Sequence, residues 1–240
     1  MRMLALETTE KFGSVALLND GHVLAERELP KDRRSSQTLH PTLRTLFETT
    51  QTAPETIDIV AVVVGPGSFT GLRVGVTAAK VFAYSHATKV IALDTFRTVA
   101  FGSGTVPEDT VGSLDSLFSV GVDAQRGEVV AAVLRRTKEG RIDMVKEPEL
   151  LSVVDWWKHA EQYEGIIFSG PALERWSVNV PPNVVLASQS DWFPKASAAG
   201  KLAAERKAWR ESQQPYDDVW TLRPTYSRLS AAEEKRKEFT

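Results

Sequence analysis

The stretch of sequence that decides the fold is DIVAVVVGPGSFTGLRVG, which spans residues 58–75. Residues 58–64 are mostly apolar and β-branched, a pattern typical of a strand that is buried on both faces. Gly65-Pro66-Gly67 breaks that strand, and Ser68 or Thr70 can cap a long helix that we expect to end near Ser85. A buried strand, a glycine-rich turn and a helix in this order predict an α/β protein.

The segments around this unit repeat one order of elements: three strands, a helix, a strand and a helix. The first half has predicted strands at 3–8, 13–18, 22–29 and 90–93 and a helix at 38–49. The second half has predicted strands at 118–122, 128–135, 141–146, 166–169 and 184–187 and helices at 153–162 and 196–209. We therefore predict two copies of one α/β unit, joined near Gly102-Ser103-Gly104. The first lobe would be residues 1–102 and the second 103–240, with the final segment packing back on the first.

The charge balance and the absence of cysteine exclude several classes of function. The chain has 240 residues with 29 Lys and Arg against 31 Asp and Glu, and its net charge of −2 does not suit an autonomous nucleic-acid-binding protein. Without cysteine there are no disulfides, cysteine zinc sites, iron–sulfur clusters or thiol nucleophiles. The longest apolar runs are about six residues, far below the ~20 that span a bilayer, and residues 3–6 are too short for a secretory signal. We expect a cytoplasmic protein.

The glycine-rich turn indicates either an anion site or close packing. Such a turn at a helix N-terminus aims free backbone N–H groups at one point, which attracts phosphate or another anion. It is not a Walker loop, because no Lys-Ser/Thr pair follows Gly71, and it lacks the Gly-x-Ser-x-Gly pattern of a nucleophile elbow. The alternative is an ordinary strand end packed against the turn. The candidate nucleotide or anion cradle consists of Thr8, Thr9, Gly65, Gly67, Ser68 and Asp123.

Small residues at spacings of three and four make one face of the helix after the turn almost free of side chains. Mid-helix glycines cost about 1 kcal/mol each relative to alanine, so another backbone must come close to Gly71 and Gly75. That backbone could belong to the same chain or to another subunit. The leucine face of the helix at 38–49 could join the same surface. The candidate partner interface consists of Leu39, Leu43, Leu46, Phe47, Gly71, Leu72, Gly75, Ala78 and Ala79.

The histidines do not form a metal or catalytic motif. His22, His40, His86 and His159 are isolated, with no second histidine four residues on and no patterned carboxylate beside them. Residue counts leave a Ser-His-Asp triad open, although no nucleophile motif supports one. We therefore predict no metal site.

Several segments resemble motifs of the TsaB (YeaZ) family, the bacterial non-catalytic paralogue of the threonylcarbamoyltransferase TsaD. The resemblance covers nearly the whole chain and lies in LALETT (4–9), GPGSFTGLRVG (65–75), VDAQRGEV (122–129), RPTYSR (223–228) and AEE (232–234). The chain departs from the family pattern at Glu7, where Asp is usual, at Gln125, where Arg is usual, and at Ser227, where Leu is usual. Ser35-Ser36 stands where members often carry His-Ser.

The resemblance implies a duplicated, two-lobed actin/hexokinase-like (ASKHA, ribonuclease H-like) fold. It also implies a non-catalytic scaffold and activator subunit that binds TsaD through the helices at 38–49 and 70–85, with TsaE as a further partner. This complex adds N6-threonylcarbamoyl to adenosine 37 of tRNA, which the chain would meet through the complex. The metal-binding histidine pair of the active paralogue falls here on Thr95 and Val99, so no metal is implied.

No tightly bound cofactor is expected, only weak binding of ATP or ADP, and the isolated chain is expected to form a homodimer. The alternative function is a small-molecule kinase or ATPase of the same fold, using Thr8, Thr9, Ser68 and Asp123 around Mg-nucleotide. A third alternative is a peptidase, against which the missing metal ligands count.

Overall fold

The fold contains two five-stranded mixed sheets, one in each half of the chain. The computed structural model describes residues 1–103, 115–209 and 216–227. The first sheet contains β1 (Arg2–Glu7), β2 (Ser14–Asn19), β3 (His22–Glu28), β4 (Ile59–Gly65) and β5 (Lys89–Asp94). The second contains β6 (Ser116–Asp123), β7 (Glu128–Arg136), β8 (Ile142–Ser152), β9 (Ile167–Ser169) and β10 (Val185–Leu186). Their orders are β3-β2-β1-β4-β5 and β8-β7-β6-β9-β10.

The two sheets have the same topology. In the first, β1 is antiparallel to β2 and parallel to β4, and in the second, β6 is antiparallel to β7 and parallel to β9. The predicted duplicated α/β unit is therefore confirmed. Residue 104 of the predicted junction and the segment at 232–234 lie outside the described residues.

Helices cover both faces of the first sheet. The helices are α1 (Ser35–Thr49), α2 (Phe69–His86), α3 (Thr95–Gly102), α4 (Val153–Trp157), α5 (His159–Gln162), α6 (Leu173–Trp176) and α7 (Ala196–Trp209). Alternate residues of β1 and β4 point to opposite faces, as the period of a strand requires. One set packs under α1 and α2 with Leu46, Val76 and Ala79, and the other packs under α7 with Ala199 and Ala203.

Residues 216–227 lie along the first lobe. Asp217 forms a β-bridge with Val90, and its carboxylate accepts a hydrogen bond from the Ala92 N–H at 2.7 Å. Leu222 is buried in the core under α1 and α2, and the Thr225 N–H donates to the Val64 carbonyl at 2.7 Å. Together with α7, this segment brings the last described part of the chain back onto the first lobe.

Aromatic side chains fill the second lobe. Trp156 is fully buried, stacks on Trp157 at 4.5 Å between ring centroids, and meets the edge of Phe168 at 5.5 Å. Gly121 lies under the Trp156 ring, where a Cβ would come within 2.5 Å of it. Most of the tryptophans with described side chains pack in the core, whereas Trp220 is exposed.

Three helical segments differ from the prediction. α1 starts at Ser35 rather than near residue 38, which leaves Pro41 inside the helix, because the burial of Leu39 and Leu46 outweighs the cost of a missing N–H. α3 was not predicted; it starts where the Asp94 carboxylate accepts a hydrogen bond from the Arg97 N–H at 2.7 Å. The helix predicted at 153–162 is two short helices that meet at Lys158.

Candidate functional site at the glycine-rich turn and the outer face of its helix

The glycine-rich turn is filled by the chain's own backbone. The Ser68 N–H donates to the Thr9 carbonyl at 2.6 Å, and a Cβ added to Gly67 would lie 2.5 Å from that same oxygen. Gly65 has a φ of 118°, and the Thr225 carbonyl occupies the space where its Cβ would lie. Glycine is therefore required here for close approach between segments of one chain.

The face of α2 that carries Gly71 and Gly75 packs against the end of β1. The Thr8 carbonyl lies where a Cβ of Gly71 would be, and the Thr8 Oγ1 lies where a Cβ of Gly75 would be. The same Oγ1 donates to the Gly71 carbonyl at 2.8 Å. The expectation that Gly71 and Gly75 form part of an exposed partner surface is therefore wrong, since the backbone that comes close to them belongs to this chain.

Three further residues of the predicted interface lie in the core. Leu46, Leu72 and Ala79 are fully buried, so they support the surface from below and do not form it. Periodicity placed them on an apolar face, and that face packs against the first sheet.

The opposite side of α2 forms an apolar groove with α1. The groove has a volume of about 750 Å³. Of the predicted interface residues, the partly exposed Leu43 and Ala78 and the buried Leu39 line it, and Phe47 stacks on the lining residue Phe82 at 6.1 Å between ring centroids. The structure therefore leaves part of the predicted interface at an open surface, next to residues that the sequence analysis did not select.

Those additional residues come from α2 and from the segment at 216–227. Val81 and Tyr84 are 59% and 73% exposed, and Trp220, which is 75% exposed, meets the edge of Tyr84 at 5.7 Å between ring centroids. At the start of α2, the Arg73 guanidinium lies 3.9 Å from the Phe69 ring centroid. The helical spacing of residues 73, 77, 81 and 84 was the available signal, because it puts Val81 and Tyr84 on the same outward face as the polar Arg73 and Thr77.

The predicted anion cradle is not open. Thr8 and Thr9 are fully buried, Gly65 and Gly67 are in contact with backbone, and the Ser68 hydroxyl caps α2 by accepting from the Gly71 N–H at 3.3 Å. The remaining member, Asp123, is the last residue of β6 in the second lobe, where its carboxylate lies 3.6 Å from Arg175. An anion could enter between these residues only if the internal contacts separated.

The seam between the lobes is acidic. Glu7, at the end of β1, is fully buried, and its Oε1 accepts hydrogen bonds of 2.5 Å from both the N–H and the hydroxyl of Thr9. Burial raises the pKa of Glu7 to about 8. Burial, together with the carboxylates of Glu7, Glu174 and Asp123, raises the pKa of the half-buried Glu10 to about 8 as well. Burial and the neighbouring carboxylates therefore disfavour a negative charge at this seam.

The positions that resemble the metal pair have other roles. The Thr95 hydroxyl is buried and donates to the Pro66 carbonyl at 2.6 Å, and Val99 lies in the core of the second lobe. Within residues 1–103, 115–209 and 216–227, no three His, Asp or Glu side chains are grouped in a way that could hold a metal ion. No helix in the same ranges is long and apolar enough to cross a membrane.

A buried Ser-His-Glu arrangement in the second lobe is structural. Ser119 Oγ lies 2.8 Å from His159 Nδ1, and His159 Nε2 lies 3.7 Å from the Glu149 carboxylate. The Trp156 Nε1–H also donates to Ser119 Oγ at 2.8 Å, and Ser119 is fully buried. Because no substrate could reach this hydroxyl, the arrangement anchors Trp156 and does not act as a nucleophile.

By class, this is a duplicated, two-lobed α/β protein with a glycine-rich turn closed by its own backbone. A family model described as "TsaD: tRNA N6-adenosine threonylcarbamoyltransferase" matches residues 22–233. The chain belongs to this family, and its relatives place it in the TsaB (YeaZ) branch.

The chain is similar to two curated relatives and to one solved structure. The chain is 27% identical over 240 residues to the "tRNA threonylcarbamoyladenosine biosynthesis protein TsaB" of Bacillus subtilis (strain 168), covering 98% of this chain and 97% of that protein. It is 33% identical over 156 residues to the protein of the same name from Escherichia coli (strain K12), covering 63% and 64%. It matches "YeaZ from Pseudomonas aeruginosa" with a TM-score of 0.74 and 22% identity, covering 94% of this chain and 99% of that one, which shows the shared fold.

Proposed function

We propose that this chain acts in tRNA threonylcarbamoyladenosine biosynthesis as a non-catalytic subunit that binds TsaD through the outer face of α1 and α2. The observation that carries the proposal is the apolar outer face itself. Val81, Tyr84 and Trp220 project from it into solvent beside an open apolar groove. Exposed apolar patches of this kind mark protein-interaction sites more often than isolated exposed residues do.

The proposal that the chain is non-catalytic rests on Thr95 and Val99, the two positions on which the metal-binding histidine pair of the active paralogue falls. Thr95 is committed to a backbone hydrogen bond and Val99 to the core, so neither supplies a metal ligand. The chain's relatives are named for biosynthesis of the modified nucleoside, and the family model that matches it is named for the transferase. A supporting subunit of the transferase fits both names.

The wider assembly is part of the same proposal. TsaE would join the pair, tRNA would be met through the complex, and a second copy of the chain would cover the apolar face when TsaD is absent. The work would take place in the cytoplasm. Any nucleotide bound to this chain alone would be held weakly, since the predicted cradle is closed by Thr9 and Thr225.

The test compares two matched valine substitutions in a co-expression experiment with TsaD from the same organism. Val81→Asp places a charge in the centre of the proposed face, and Val178→Asp places one at an 83% exposed position of the second lobe. We expect Val81→Asp to weaken co-purification of TsaD at least tenfold and to lower tRNA modification in the reconstituted system, whereas Val178→Asp changes neither. Wild-type recovery of TsaD by a folded Val81→Asp protein would refute the proposal.

A further inference from the structure

Acidic side chains of both lobes meet at the seam between the lobes. Glu10 belongs to the first lobe, and Asp123 and Glu174 belong to the second. Lys11 lies 3.1 Å from the Glu174 carboxylate, and Arg175 lies 3.6 Å from that of Asp123. Among the described residues, no cation is paired with Glu10 or with its neighbour Glu7.

Glu7 is the most enclosed member of this group. The whole residue is buried, and among the described residues its Oε2 has no hydrogen-bond partner. Both hydrogen bonds to Oε1 come from Thr9. The charged neighbours that act on it from adjoining segments are Glu10, in the loop after β1, and Glu26, on β3, and both are carboxylates. Ser14 on β2, which lies opposite Glu7, donates its hydroxyl to Glu26 at 3.0 Å.

The geometry limits which cation could satisfy Glu7. A metal ion needs several ligands at coordination distance, and within the described part of the chain no such group exists. An ammonium or guanidinium group would need a solvent-accessible oxygen, whereas Oε2 has no accessible surface. A buried carboxylate oxygen without a partner is costly to keep charged. A proton is the cation that fits the available space.

We propose that the Glu7 carboxyl binds a proton when the chain folds, so that the folded chain holds Glu7 as an uncharged carboxylic acid at neutral pH. Glu7 then adds no charge to the acidic seam, where Lys11 of the first lobe pairs with Glu174 of the second. Loss of the proton in alkaline solution would place a bare charge inside the first lobe and loosen the segment at 7–11. The inference does not depend on the proposed function, because no partner takes part in it.

The pH dependence has a definite sign. In the unfolded chain the Glu7 carboxyl has its ordinary pKa of 4.5, and burial raises that pKa to about 8 in the folded chain. Between these values the folded chain holds one more proton than the unfolded chain, so its stability falls as the pH rises through this window. One proton corresponds to about a tenfold rise in the unfolding equilibrium constant per pH unit.

The experiment is urea unfolding between pH 5.5 and 7.5 for the wild type, Glu7→Gln and the exposed control Glu55→Gln. Glutamine reproduces the shape of an uncharged carboxylic acid but cannot titrate. We therefore compare unfolding equilibrium constants as ratios to that of Glu7→Gln at the same pH. Both the ratio for the wild type and the ratio for Glu55→Gln should rise about tenfold per pH unit. Equal pH dependence in the wild type and Glu7→Gln would overturn the proposal.

Infrared spectroscopy gives a second readout that does not require the Glu7→Gln variant to fold. The wild type and Glu10→Gln should both show the carbonyl band of a protonated carboxyl group at pH 6.5. Absence of that band in the wild type would show that no carboxyl group is protonated and would overturn the inference. Disappearance of the band in a folded Glu10→Gln protein would assign the proton to Glu10 and would overturn it as well.

Discussion

The contact between Gly75 and Thr8 leads to a sharp prediction about the glycine face of α2. Gly75→Ala adds a Cβ where the Thr8 Oγ1 lies, and that hydroxyl already donates to the Gly71 carbonyl at 2.8 Å. The substitution therefore forces the hydroxyl or the helix to move. Thr8→Ala removes the obstructing atom, and the remaining neighbour of the new methyl group would be the Thr8 Cβ at 3.6 Å, an ordinary contact distance.

The expected magnitudes follow from two opposing effects. Overpacking a buried site costs about 1–3 kcal/mol, whereas replacing a mid-helix glycine with alanine contributes about 1 kcal/mol of helix stability. In the wild-type background Gly75→Ala should therefore lower the free energy of unfolding by about 0–2 kcal/mol. In the Thr8→Ala background the overpacking is absent, and the same change should raise that free energy by about 1 kcal/mol.

Urea unfolding of the four proteins of this double-mutant cycle measures the coupling. We expect a coupling energy of about 1–3 kcal/mol between positions 8 and 75, because the overpacking occurs only when both the threonine and the alanine are present. Additive effects, or stabilisation by Gly75→Ala in both backgrounds, would show that the helix does not rest on the strand end as described.

Three further outcomes test other parts of the structure. Leu72→Ala should lower the free energy of unfolding by about 2–5 kcal/mol in urea titrations, whereas the exposed Leu24→Ala should change it by less than about 0.5 kcal/mol. Burial lowers the pKa of His159, so the unfolded chain binds the proton more readily and stability should fall below about pH 6.5; His159→Gln should weaken that fall in pH-dependent unfolding. Trp220→Ala should weaken TsaD binding in titration calorimetry while leaving the melting temperature unchanged, since its side chain is mostly exposed.

The order of the strands and the main helices could be predicted from sequence, because apolar runs and turn residues report local geometry directly. Strand β4 is buried along its whole length, as its β-branched run indicates, and α2 is capped by Ser68, one of the two predicted candidates. The duplication followed from the repeated order of elements.

What each helical face contacts could not be predicted in the same way. The spacing of Gly71 and Gly75 requires a close backbone, but only the tertiary structure shows that Thr8, more than sixty residues earlier in the chain, supplies it. The outer face was missed for a related reason: Trp220 reaches α2 from the far end of the sequence.

Hydrogen exchange of this chain with and without TsaD tests the proposed interface most directly. We expect slower exchange on binding for the peptides that cover residues 35–49, 69–86 and 216–227, with exchange of the second-lobe helices at 153–162 unchanged. Protection confined to the second lobe, with the two first-lobe helices exchanging as in the free chain, would contradict it.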